Sequence, residues 1–130
     1  MSKNNLNVLI TRPEKSAREL AQRLKAHDIK SLCQPLFDYQ ALANSADTKQ
    51  LIENHEQAIV IFVSPAAVEY ANKAYSLALW QNKYIIAVGG KTQHALAELN
   101  ISAQIPQQQS SEGLLDLPLL EQVANKDVII

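Results

Sequence analysis

Short apolar, β-branched runs alternate along the chain with longer stretches whose apolar positions recur at helical spacing. This is the pattern of strand-helix units packed on a mostly parallel sheet. Asn7-Val8-Leu9-Ile10-Thr11 reads as a buried strand, and Arg12-Pro13 breaks it. Ala17, Leu20, Ala21 and Leu24 then fall at i, i+3, i+4 and i+7 on one face of a helix, with Ser16 as its cap and Glu19 three residues on. Ser31-Leu32-Cys33-Gln34 forms a second strand that Pro35 ends, and Leu36 to Leu42 continues as an extended, alternating segment suited to a linker.

The polar stretch Asn44-Ser45-Ala46-Asp47 leads into a weak helix with Leu51 and Ile52 as its apolar positions. Ala58-Ile59-Val60-Ile61-Phe62-Val63 is apolar on both faces, as a central parallel strand is. It runs into Ser64-Pro65, a helix cap followed by a first-turn proline. The helix that follows turns Ala67, Val68, Ala71, Ala74 and Tyr75 inward. Tyr84-Ile85-Ile86-Ala87-Val88 is a further buried strand, Gly89-Gly90 a tight turn, and Thr92 opens a helix carrying Ala95, Leu96 and Leu99. A third unit is less regular: Ile101 to Pro106 as a short strand, Gln107 to Ser111 as a polar loop, and Leu114 to Val123 as a helix that Pro118 is placed to split. Asp127-Val128-Ile129-Ile130 is an apolar strand with no polar tail after it, so these residues are expected to be the front part of a longer protein.

Composition narrows the function. A length of 130 residues, 47% hydrophobic, is that of one ordinary globular domain and excludes a disordered tail. Twelve basic against thirteen acidic residues give a net charge of −1, too little field to attract a polyanion, so nucleic acid is not expected as a partner. The single cysteine, Cys33, closes no internal disulfide, and no Cys/His cluster has metal-ligand spacing. No apolar run approaches the roughly 20 residues of a membrane span, and the polar start Met1-Ser2-Lys3-Asn4-Asn5 is no signal peptide. The expectation is a cytoplasmic protein with no membrane partner.

In open parallel sheets ligands bind beyond the carboxyl ends of the strands, which here carry Thr11-Arg12-Pro13, Ser64-Pro65-Ala66-Ala67 and Gly89-Gly90-Lys91-Thr92. Each offers hydroxyls or unpaired N–H groups at a helix start, where donors and the helix dipole favour an anion. Taken singly, Ser64 and Thr92 read as helix caps and the glycines as turn formers; three such sites on one edge shift the balance toward a ligand. Arg12 is either a solvated surface residue or an anion contact. Neither a GxxxxGK[ST] loop nor a GxGxxG follows a strand, which removes nucleotide hydrolysis and dinucleotide binding. Thr11 and Ser64 stand where a phosphoacceptor domain needs aspartates. His27, His55 and His94 read as surface residues, and Cys33 as core filler.

Val8-Leu9-Ile10-Thr11-Arg12-Pro13, Pro35-Leu36-Phe37, Ile61-Phe62-Val63-Ser64-Pro65-Ala66-Ala67-Val68, Ala87-Val88-Gly89-Gly90-Lys91-Thr92 and Ser111-Glu112-Gly113-Leu114-Leu115 follow the order and spacing of the uroporphyrinogen-III synthase family, which the sequence resembles. The resemblance implies an α/β, bilobal protein of about twice this length, with two flavodoxin-like lobes of parallel sheet flanked by helices. Residues 1–38 would be the first segment of a discontinuous lobe one, the crossing linker would lie around 36–42, and 39–130 would be most of lobe two, with the remainder missing. The implied reaction is cyclisation of hydroxymethylbilane, a linear tetrapyrrole with eight carboxylates, to uroporphyrinogen III, with loss of water and inversion of ring D. The family uses no cofactor and no metal.

Carried over by motif, Ser64 and Thr92 would bind substrate carboxylates, with backbone donors at Ala66, Ala67, Gly90 and Lys91 beside them and Arg12 as a further contact. The tyrosine expected to assist loss of the hydroxyl group would lie in the missing part, so no tyrosine present here takes that role, and these residues alone are expected to be inactive because one wall of the cleft is absent. The sequence departs from commoner family forms at Pro65-Ala66 and at Gly90, where asparagine is frequent. A monomer is expected. The alternative is a non-catalytic α/β module that binds a small anion or a protein partner.

Overall fold

The structure, a computed structural model, describes residues 7–42, 45–80 and 84–130. The polar start Met1 to Asn5 and Asn44 lie outside the described residues. The chain divides into two compact units, Met1–Gln40 and Ala41–Ile130.

In the first unit β1 (Asn7–Ile10) and β2 (Lys30–Cys33) pair in parallel, Asn7 with Lys30 through Ile10 with Cys33, and α1 (Glu14–Lys25) connects them. The helix begins earlier than the Ser16 cap implied. Pro13 is its N-cap and accepts the Ala17 amide at 2.9 Å, so Ser16 falls inside the first turn. Glu14 in that turn complements the helix dipole. Ala17 is buried with Leu20, Ala21 and Leu24 half-buried along the same face, as the spacing predicts, and the Cys33 thiol donates to the Ala17 carbonyl at 3.6 Å. The fully buried strand expected at 7–11 is not found. Ile10 is buried, whereas Leu9 is 60% exposed and its register partner Leu32 is 65% exposed. Side chains alternate across a strand, and α1 covers only one face of this ribbon. Beyond Cys33 the chain is irregular and exposed to Leu42, with Phe37 and Tyr39 meeting edge to face.

In the second unit β3 (Ile59–Phe62) lies between β4 (Tyr84–Ala87) and β5 (Val128–Ile129), all parallel, with Ile59 opposite both Tyr84 and Val128. The terminal apolar run thus has a partner in the sheet, shorter than its four residues suggested. The strand expected over Ile101 to Pro106 contracts to a single parallel bridge, Ile86 to Gln104, closed by bonds of 2.8 and 2.9 Å. Pro106 has no N–H with which to extend it.

Alternation sorts the core onto two faces. Val60, Phe62, Ile85 and Ala87 join Ile52 of α2 (Ser45–Asn54), Val68 of α3 (Pro65–Ala74), Leu96 of α4 (Gly90–Ala97), and Leu77 and Trp80 of a 3-10 turn (Leu77–Trp80). Ile59, Ile61 and Ile86 pack on the other face against Leu114 of α5 (Ser111–Leu114), Leu117, and Leu119 and Leu120 of α6 (Pro118–Glu121). Each fully buried aliphatic side chain contributes about 1.5–3 kcal/mol. The apolar run at 59–62 is buried throughout because helices cover both faces, the arrangement of a doubly wound parallel sheet. Leu51 is 45% exposed and leaves Ile52 as the inward residue of α2. Pro118 splits the last helical stretch as its position predicts, standing at the first turn of α6.

Candidate functional site

β3 and β4 are neighbours and parallel, so the helices that follow them begin side by side at the carboxyl edge of the sheet. Ser64 follows β3 in extended conformation, and its Oγ accepts the Ala67 amide at 3.1 Å. Pro65 has no N–H, and Val68 donates to the Ser64 carbonyl at 3.3 Å. In this first turn the Ala66 N–H is left without a partner among the described residues. A hydroxyl that accepts one hydrogen bond keeps its own O–H to donate, so Ser64 can cap α3 and hold a carboxylate together.

At the end of β4 the expected turn at Gly89-Gly90, with a helix opening at Thr92, is replaced by an earlier start. Gly89 is the N-cap (φ −143°, ψ 164°), Gly90 is the first helical residue, and no described glycine has positive φ. Thr92 and Gln93 both donate their amides to the Gly89 carbonyl at 3.0 Å. Thr92 is 3% exposed, but among the described residues the buried side-chain polar atom left without a partner is the indole nitrogen of Trp80, not the Thr92 hydroxyl. The Gly90 amide is taken: it donates to Oε1 of Gln109 at 2.9 Å. Of the backbone donors expected at Ala66, Ala67, Gly90 and Lys91, only Ala66 and Lys91 therefore lack partners among the described residues.

The Ser64–Ala67 and Gly90–Thr92 segments are brought together on adjacent strands. Arg12 belongs to the other unit, where it is exposed just beyond β1. His27 is exposed, His55 pairs with Asp127 at 2.8 Å and His94 lies 3.7 Å from Glu98, all surface arrangements. Among the described residues no three His, Cys, Asp or Glu side chains are grouped to hold a metal, and no helix is long and apolar enough to cross a membrane.

Gln109 is the residue that the sequence reading missed, since it sits in a stretch recognisable only as polar. Its loop is fixed at the far end by α5. Ser110 Oγ accepts the Gly113 amide at 3.2 Å, and the Glu112 carboxyl is held below its ordinary range by its own backbone N–H and by the Ser110 hydroxyl. A groove of about 380 Å³ runs from Gly90 down α4, past Gln93 and His94, to the 101–103 segment.

Fold and edge together define an α/β protein whose parallel sheet has two adjacent helix starts at its carboxyl edge. The model of the family described as Uroporphyrinogen-III synthase HemD matches residues 18–130, and the chain belongs to that family. Solved structures share its fold. Uroporphyrinogen-III synthetase from Helicobacter pylori 26695 aligns at TM-score 0.61 and 20% identity, over 89% of this chain and 54% of that one. Thermus thermophilus uroporphyrinogen III synthase aligns at 0.52 and 14%, over 95% and 60%. A mutant uroporphyrinogen III synthase from Thermus thermophilus aligns at 0.61 and 16%, over 95% and 60%. The chain spans 54–60% of the length of these structures. Compared with curated protein sequences, it has no significant match.

Proposed function

We propose that the chain is the front portion of a cytoplasmic, monomeric uroporphyrinogen-III synthase that cyclises hydroxymethylbilane to uroporphyrinogen III, with loss of water and inversion of ring D. Family membership and fold support this reading. The observation that carries it is the pair of helix starts on adjacent strands β3 and β4, which offers a carboxylate-rich chain two seats close together. In one, the Ser64 hydroxyl and Ala66 amide donate to a carboxylate. In the other, the Lys91 amide and Thr92 hydroxyl do so. Charge-assisted hydrogen bonds of this kind are the stronger ones and need no metal.

Residues 1–38 are then the first segment of lobe one, with Arg12 reaching a further carboxylate, and 39–130 are most of lobe two. The rest of lobe one would then fall in the length of the relatives that this chain does not span, 40% of the Thermus thermophilus structure. Rate enhancement would come mainly from holding the flexible tetrapyrrole so that the inverted ring closes.

The natural full-length protein, supplied with enzymatically generated hydroxymethylbilane, is expected to yield the type III isomer, and type I product alone would overturn the assignment. The 130-residue chain by itself is expected to give no type III product, and turnover by it would refute the bilobal placement.

A further inference from the structure

Given the cyclisation proposed above, we infer that Phe37 and Tyr39, with Arg12 beside them, form the surface on which a pyrrole ring of the carboxylated substrate is held. The seats of the second unit account for the charged side groups of such a chain and leave its flat, electron-rich rings without a partner. The first unit has aromatic side chains to offer. Phe37 and Tyr39 are both exposed, and their ring centroids lie 6.0 Å apart with the planes at 89°.

The backbone brings these residues to the carboxyl edge of β1 and β2. Past the paired strands, the Gln34 amide donates to the Ile10 carbonyl at 2.8 Å and the Leu36 amide to the Thr11 carbonyl at 3.2 Å. Arg12 and Phe37 each follow a residue of that last bond, so their backbones are neighbours beyond the strand ends, where parallel sheets bind ligands. The stretch between the two rings is fixed locally, because Asp38 Oδ1 accepts the Tyr39 amide at 2.8 Å. The negative charge of Asp38 disfavours a carboxylate beside the rings and leaves that role to the Arg12 guanidinium.

Perpendicular rings form a corner. A third flat ring that enters it stacks on one of them and turns an edge to the other, and both arrangements are favoured ones for aromatic pairs. Charge favours the same unit. Residues 1–40 hold seven Lys and Arg against four Asp and Glu, whereas 41–130 hold five against nine. A polycarboxylate is therefore drawn to the first unit, and a ring seated at Phe37 and Tyr39 keeps its carboxylates on the side of Arg12.

The test uses the natural full-length protein and enzymatically generated hydroxymethylbilane. Phe37→Leu and Tyr39→Leu keep apolar bulk and remove the ring. Each is expected to raise KM about three- to tenfold, the range of an aromatic pair contact, with little change in kcat or in melting temperature. Phe37→Tyr and Tyr39→Phe, which keep a ring, should recover most of that loss. Leucine variants with wild-type KM overturn the inference alone, and so does an equal loss in the ring-keeping variants. A KM increase that comes with a lower melting temperature also overturns it, because the rings then serve the protein's own packing. Absence of type III product from the wild type overturns the cyclisation reading and this inference with it.

Discussion

Gly113 lies against the backbone of Gln108 so closely that a Cβ at position 113 would stand 2.0 Å from the Gln108 carbonyl oxygen. That contact is backbone on backbone and cannot be relieved by a rotamer change. Gly113→Ala is therefore expected to cost about 1–3 kcal/mol, as overpacking does, lowering the melting temperature of the second unit by several degrees. Gly90→Ala, whose Cβ would meet only Gln109 at 3.7 Å, should stay within about 0.5 kcal/mol of wild type in the same thermal melts. Equal effects at the two positions would contradict this account.

Ser64 has two separable roles. Its Oγ accepts the Ala67 amide at 3.1 Å, so Ser64→Ala should lose about 1 kcal/mol of stability. Ser64→Gly, also a good cap, should lose only a few tenths. Both remove the hydroxyl, so in the complete enzyme both should reduce turnover equally. Turnover that tracks the melting temperature instead would show that the hydroxyl is a cap alone.

Thr92→Val keeps the shape of a buried side chain and removes its hydroxyl. Stability by denaturant titration should be unchanged or slightly higher, because a methyl group loses no hydrogen bonds to water on burial. Type III product formation by the full-length variant should fall.

Glu112 provides a pH signature. Its own backbone N–H and the Ser110 hydroxyl favour the charged carboxylate and lower its pKa. A group depressed in the folded state contributes stability above its unfolded value, about 4.3 for glutamate, and loses it as the pH falls through the lower folded value. The amide signals of Ser110 and Gly113 should therefore shift in that acidic window. In Glu112→Gln the shift should disappear.

Strands buried on both faces were the easiest part of the fold to read: Ile59–Phe62 is apolar at every position because helices cover both sides. The same kind of run at 7–10 misled, since periodicity says that a strand is apolar and not how many helices lie upon it. Pro13 rather than Ser16 starts α1, for its carbonyl already accepts the Ala17 amide. At Gly90 the residue type suggested a turn, yet a first helical residue asks only for ordinary dihedrals, which any amino acid supplies. The strand-edge segments around Ser64 and Thr92 were legible from topology alone. Gln109 was not, because its contact with Gly90 spans 19 residues and a polar loop carries no period to announce it.

The bare side of the β1–β2 ribbon bears on cooperativity. Ile10 and Ala17 are the buried hydrophobic residues of the first unit among those described, whereas the second unit has a core on both faces of its sheet. Two paired strands under a single helix hold poorly in water by themselves. The chain is therefore expected to unfold in two steps, with the amide protons of Val8–Ile10 exchanging with solvent well before those of Ile59–Phe62. A melting temperature quoted for the whole chain would then describe the second unit, while the segment carrying Arg12 would already have opened at the lower temperatures.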